Sequence, residues 1–230
     1  EMCIRDRISF SAAVGTYQLK VRIHSINQST NSAAVLAAGT DTTANFALVH
    51  GNPYSFELSA DSSENAYVAG SVYSSFSVKT YDQFGNQTTG DSAVALSLTV
   101  SAVSTGVIQR VSGISATSVD GVATFSNFSL VATPANYQAV VAASWQGATL
   151  VRKASGTSTF SIGVVAAAPA QIEITRAAAG ARHENVMATQ PAVRLLDAFG
   201  NLATSAPGSV QIDVIGDAII SGSPVVRFPS

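Results

Sequence analysis

Asp82-Gln83-Phe84-Gly85-Asn86 returns about 115 residues later as Asp197-Ala198-Phe199-Gly200-Asn201. Two copies of one unit in tandem point to a scaffold of like domains before they point to a catalyst. The similarity runs past the five residues. Upstream, Pro53-Tyr54-Ser55-Phe56-Glu57-Leu58 matches Pro169-Ala170-Gln171-Ile172-Glu173-Ile174; downstream, Val94, Leu96 and Leu98 match Val210, Ile212 and Val214. Apolar residues on alternate positions are the mark of strands with one buried face. A third partial copy lies at the start, where Gly15-Thr16-Tyr17-Gln18-Leu19 parallels Ala135-Asn136-Tyr137-Gln138-Ala139 and Phe46-Ala47-Leu48 parallels Phe160-Ser161-Ile162.

These registers divide the chain into the C-terminal part of one domain (8–49), a complete domain (50–165) and the N-terminal part of another (166–230). Both junctions end in proline, which suits a strand start because no ladder hydrogen bond is forfeited there. Residues 1–7, Glu-Met-Cys-Ile-Arg-Asp-Arg, read as the translation of a sequencing-library adaptor. The chain is therefore expected to be a fragment, with Cys3, its one cysteine, outside the natural sequence.

In the middle domain, alternation predicts about seven strands: 54–59, 72–81 (Val72, Phe76 and Val78 on one face), 94–100, 106–111, 122–130 after the Asp120-Gly121 turn, one from Tyr137 to Trp145, and one around Phe160 and Ile162. No stretch carries a capped 3.6-residue stripe. The fold expected is all-β, as tandem immunoglobulin-like sandwiches. A formal charge of −2 gives no electrostatic footprint for nucleic acid, and no apolar run reaches the roughly 18 residues that a membrane helix needs. Hydrophobic residues at 47% and in period argue against disorder.

D-x-F-G-N, an alternating strand, Asp120-Gly121-Val122-Ala123-Thr124-Phe125 and then Tyr137 together resemble the bacterial immunoglobulin-like repeats of invasin- and intimin-type adhesins, with filamin-type repeats as near relatives. The resemblance covers the chain after Arg7. It implies sandwiches strung in rows on cell-surface or secreted proteins.

The motif has a physical reading without a ligand. Gly85 and Gly200 supply positive φ, Asn86 and Asn201 tolerate similar geometry, Asp82 and Asp197 accept backbone hydrogen bonds two residues on, and Phe84 and Phe199 are expected to tuck beneath the loop. A calcium site is the rival. It needs six to eight oxygen ligands, and Asp82 with Asp91 makes no carboxylate cluster. His24, His50 and His183 are scattered over three copies without a nucleophile pattern or zinc spacing, so no enzyme activity, metal or cofactor is expected. Trp145, in phase with Tyr137 and Val141, is expected in the core, and Tyr137 is placed to form a tyrosine corner. Sequons at Asn27, Asn86 and Asn127 are glycosylation candidates in a secreted eukaryotic protein, Asn86 being the most accessible.

The function expected is a non-enzymatic stalk or spacer in adhesion, extracellular or at the cell surface, partnered by neighbouring domains of the same chain. The alternative is a module that recognises a protein or glycan through pole loops or a strand edge. In that case the unlike segments Ser62-Ser63-Glu64-Asn65-Ala66-Tyr67 and Ala179-Gly180-Ala181-Arg182-His183-Glu184 would be surface loops with contacts of their own.

Overall fold

The computed structural model describes residues 9–10, 12–21, 42–59, 63–90, 93–204, 208–213, 215 and 225–228. Residues 1–7, His24, Asn27, Asp91 and Val214 lie outside them. Among the described residues there are strands and no helix, so the all-β expectation holds. No helix among them is long and apolar enough to cross a membrane.

The first two strands, β1 (Gly15–Val21) and β2 (Thr42–Leu48), form an antiparallel pair with Tyr17 opposite Phe46. Twelve further strands build the middle unit. They are β3 (Ser55–Leu58), β4 (Glu64–Val68), β5 (Phe76–Tyr81), β6 (Ala95–Ala102), β7 (Ile108–Ser112), β8 (Ser115–Thr117), β9 (Val122–Phe125), β10 (Ser129–Ala132), β11 (Ala135–Trp145), β12 (Ala148–Thr149), β13 (Val151–Arg152) and β14 (Thr159–Val165). Beyond them lie the antiparallel pairs β15 (Pro169–Arg176) with β16 (Ala192–Asp197), and β17 (Gly208–Gln211) with β18 (Val225–Phe228). Among the described residues no sheet runs from one of these groups into the next.

The middle unit is a β-sandwich. One sheet has the order β4-β14-β11-β6-β8, with β12 hairpinned onto β11, and the other β13-β3-β5-β9. Alternation explains which faces meet. Tyr137, Ala139, Val141 and Ala143 of β11 are buried while Gln138, Val140 and Ala142 between them are exposed, and Leu96 and Leu98 of β6 follow the same rule. Opposite them, Phe56 and Leu58 of β3, Phe76 and Val78 of β5, and Ala123 and Phe125 of β9 join the same core. Phe76 ties the layers together: its ring stacks on Phe125 at 4.8 Å in its own sheet and meets Phe160 of the facing sheet edge-on at 4.9 Å. The tyrosine corner forms, with the Tyr137 hydroxyl donating to the Thr133 carbonyl at 2.9 Å.

Five expectations about the strands need correction. The chain switches sheets after β3, so that β4 pairs parallel with β14 and buries Tyr67, whose hydroxyl donates to the Ser71 carbonyl and accepts from Leu130 N–H at 2.9 Å. The stretch around Tyr67 is therefore not a free surface loop; in Glu64-Asn65-Ala66-Tyr67-Val68 only Tyr67 is buried, and a single inward side chain gave no alternating run to detect. The strand expected over 72–81 begins only at Phe76, and Val72 is 67% exposed, held by an isolated bridge to Ser129. The strand expected over 122–130 divides because β9 pairs with β5 whereas β10 crosses over to pair with β7. Small, polar β8, which pairs with β6, has no alternation to betray it. In the third copy, Ile172 and Ile174 are 60% and 68% exposed, so the alternating residues of β15 do not form a buried face among the described residues.

Because Phe76 contacts both layers, Phe76→Ala is expected to cost about 3–5 kcal/mol in a denaturant titration of the whole chain. A loss below about 1 kcal/mol, the scale of a mutation outside the core, would show that the two faces do not close on this ring.

Candidate functional site

The repeated pentapeptide sits where the chain enters each unit. In the middle unit Ser55, at the start of β3, pairs with Tyr81 at the end of β5; in the next, Pro169 at the start of β15 pairs with Asp197 at the end of β16. Antiparallel pairing thus brings the loop after the second strand back beside the connector that precedes the first.

The loop is organised around its aspartate. Asp82 is 1% exposed. Its Oδ1 accepts Phe84 N–H and Asn86 N–H, both at 2.9 Å, and its Oδ2 accepts Asn86 Nδ2 at 3.0 Å and the connector amide of Gly51 at 2.9 Å. Asp197, wholly buried, repeats the set: Phe199 N–H and Asn201 N–H at 2.8 Å, Asn201 Nδ2 at 2.9 Å and the connector amide of Ala167 at 3.0 Å. The backbone closes under each carboxylate, Gly85 N–H donating to the Asp82 carbonyl at 3.1 Å and Gly200 N–H to that of Asp197 at 3.2 Å. The two glycines stand at φ 86° and 83°, where a Cβ would find open space but the backbone itself disfavours other residues.

The electrostatics follow from the donors. Burial pushes both carboxyls up, but donation from the asparagine side chain and from three backbone amides outweighs it, leaving Asp82 and Asp197 below the ordinary carboxylate value. All four lone-pair positions of each group are occupied by N–H donors, so a calcium ion would have to displace them. Among the described residues no three His, Cys, Asp or Glu side chains gather into a metal-binding group.

Phe84 does not tuck beneath its loop: it is 55% exposed. The pentapeptide is too tight to hold a ring beneath itself, since the space under the turn is filled by the carboxylate and its amides. Phe199 is half-buried, packed against the core of the middle unit rather than its own. The asparagine side chains also reach backwards. Asn86 Nδ2 donates to the Ala12 carbonyl at 3.4 Å and its Oδ1 accepts Val14 N–H at 3.1 Å, while Asn201 Nδ2 donates to the Ala132 carbonyl at 3.2 Å. The Asn86 nitrogen is therefore committed to two acceptors and is not the free glycosylation acceptor expected; Asn127 is exposed.

The other singled-out residues do not converge on these loops as a reacting set. His50 lies in the connector, its Nδ1 2.7 Å from the Gly51 carbonyl and its Nε2 against that of Thr89; His183 lies in an exposed hairpin, 3.6 Å from Glu184. Trp145 is partly buried against the core. Sequence reading missed a polar brace in the middle unit. The Tyr81 hydroxyl donates to Glu57 Oε1, and burial, that bond and the Glu57 charge push the phenol up to about 12. Lys153 Nζ lies 3.5 Å from Glu57 Oε1 and 3.5 Å from the Tyr81 ring centroid. It ties the β13 edge to β3 and β5 and offers no nucleophile beside a base.

No protein-family model and no curated protein sequence matches this chain. Among solved structures it is similar to Yersinia pseudotuberculosis InvD, at 16% identity and a TM-score of 0.37 over 94% of this chain and 64% of that one. It is also similar to the S-layer protein SbsC in two structures, at 16% and 17% identity and TM-scores of 0.29 and 0.30, over 89% of this chain and 24% of theirs. The chain spans less than two thirds of each of these structures.

Two outcomes follow for the loops. A depressed carboxyl contributes stability that is fully present above its unfolded value near 3.8 and is lost as pH falls through the lower folded value. The denaturation midpoint should therefore fall with pH below about 4, and the Asp82→Asn/Asp197→Asn chain should show a flatter fall; identical profiles would contradict the carboxylate geometry. Chelator should leave the melting temperature unchanged, and a chelator-dependent drop would place a cation among these oxygens.

Proposed function

We propose that this chain is a structural segment of an extracellular or cell-surface protein, a row of immunoglobulin-like units that acts as a spacer in adhesion, with neighbouring units of the same chain as its partners and no enzymatic role. One observation carries the reading: the same carboxylate-centred loop recurs at the leading end of two successive units and in each case binds an amide of the connector. In the second junction that connector is only residues 166–168, between β14 and β15. In both copies the carboxylate is spent on its own loop and on the connector, which suits a part that shapes the junction rather than one that holds a ligand.

The sheet order suits tension as well. β4, near the start of the middle unit, pairs parallel with its last strand, β14. Pulling on the two ends draws such neighbours past each other, so their hydrogen bonds are loaded together rather than one after another. β11, at 11 residues, implies a unit about 36 Å long at ~3.3 Å per residue.

Stretched between handles, the chain should release the middle unit in a single event of about 35 nm, the extended length of a domain of this size less its folded length. A gradual extension without that event would contradict a spacer. Glycan and protein arrays probed with the chain should give no saturable binding. Saturable binding abolished by substitutions in the exposed hairpin around Arg182 and His183 would replace the spacer with a recognition module.

A further inference from the structure

The two junctions match more closely than the motif alone requires. In the first, the Tyr17 hydroxyl donates to the carbonyl four residues back, Ala13, at 2.6 Å, and the carbonyl before that, Ala12, accepts Asn86 of the following unit. In the second, the Tyr137 hydroxyl donates to the carbonyl four residues back, Thr133, and the carbonyl before that, Ala132, accepts Asn201 of the following unit. A tyrosine fixes the corner, and the next unit's asparagine reads the carbonyl beside it. The offsets are identical in both places.

We propose that the tyrosine-anchored corner of one unit and the D-x-F-G-N loop of the next are the two halves of a coupling that locks successive units in one orientation, making the array a rod. The proposal deepens the spacer reading and rests on it for the biological role. Three features of the second junction supply the lock. Phe199 is a knob seated on the end of the preceding core, and its seat is Gly70, at φ 79°, where a Cβ would overlap the ring. Gln109 Nε2, also from the preceding unit, donates to the Phe199 carbonyl at 3.2 Å. The connector has no slack, because its middle amide, Ala167, is bound to the Asp197 carboxylate that shapes the loop. Asn201 uses both amide hydrogens, one on its own aspartate and one on Ala132, so the plug and its socket share a single side chain. It is 4% exposed, and the Ala132 it grips is wholly buried. Phe84, by contrast, is largely exposed, so the hydrogen-bonded hook is common to both junctions, whereas the half-buried ring is described only in the second.

The test uses the whole chain with nitroxides at Ala142→Cys and Gln171→Cys, both exposed positions, on a Cys3→Ser background. Electron–electron distances should form one narrow distribution. Phe199→Ala and Asn201→Ala should each broaden it about twofold, towards the free domain motion expected when an interface is small, and Gly70→Ala should do the same from the opposite side. Combining Gly70→Ala with Phe199→Ala should add nothing further, since both remove one contact; independent structural damage would add. Phe199→Ala leaves every bond within the loop in place and so keeps the test sound if Asn201→Ala unravels it. A broad distribution in the parent, or an unchanged one in Phe199→Ala, overturns the coupling while leaving a flexible spacer standing. Saturable ligand binding overturns the spacer while leaving the coupling.

Discussion

A buried carboxylate without partners costs several kcal/mol, and this chain places one at the leading end of two successive units. Each is stabilised by the same four N–H groups, three from its own pentapeptide and one from the connector. That requirement fixes more than a turn. It dictates glycine at the fourth position, where φ is positive; it orients the asparagine whose second hydrogen reaches the preceding unit; and it holds the connector against the sandwich. The loop, the connector and the backward contact form one electrostatic unit. Displacing the loop backbone or the connector amide breaks a hydrogen bond to the carboxylate.

The middle sandwich supplies the rigid body on which that junction acts. Its two sheets close over aromatic rings centred on Phe76, and its trailing corner is held by Tyr137. Because the corner lies between β10 and β11, strands belonging to different sheets, its carbonyls are presented by the ends of packed strands rather than by a free loop. A hydrogen bond to a fixed carbonyl transmits orientation; one to a mobile loop would not.

Strong alternation made the long strands legible in the sequence. β6 and β11 alternate over eight and eleven residues, and both lie where the pattern puts them. β4 and β8 were not legible, because Tyr67 is the one buried residue of its strand and β8 is Ser-Ala-Thr. The division of the 122–130 stretch was hidden because Phe128 and Leu130 keep the apolar content high while the chain changes sheets. The motif was legible as a turn and its aspartate as an acceptor. The destination of the phenylalanine was not, since periodicity within a unit says nothing about contacts between units. A signal was nevertheless present in the tyrosines: Tyr17 and Tyr137 stand in matching places in the copies that precede each loop.

The central claim, that the carboxylate-centred loop joins successive units into one body, is tested most directly by residual dipolar couplings measured on the intact chain in a weakly aligning medium. If it holds, the couplings from β5, β6 and β11 and those from β15 and β16 fit a single alignment tensor. Two tensors of different magnitude for the two sets would show units that reorient independently, and would contradict it.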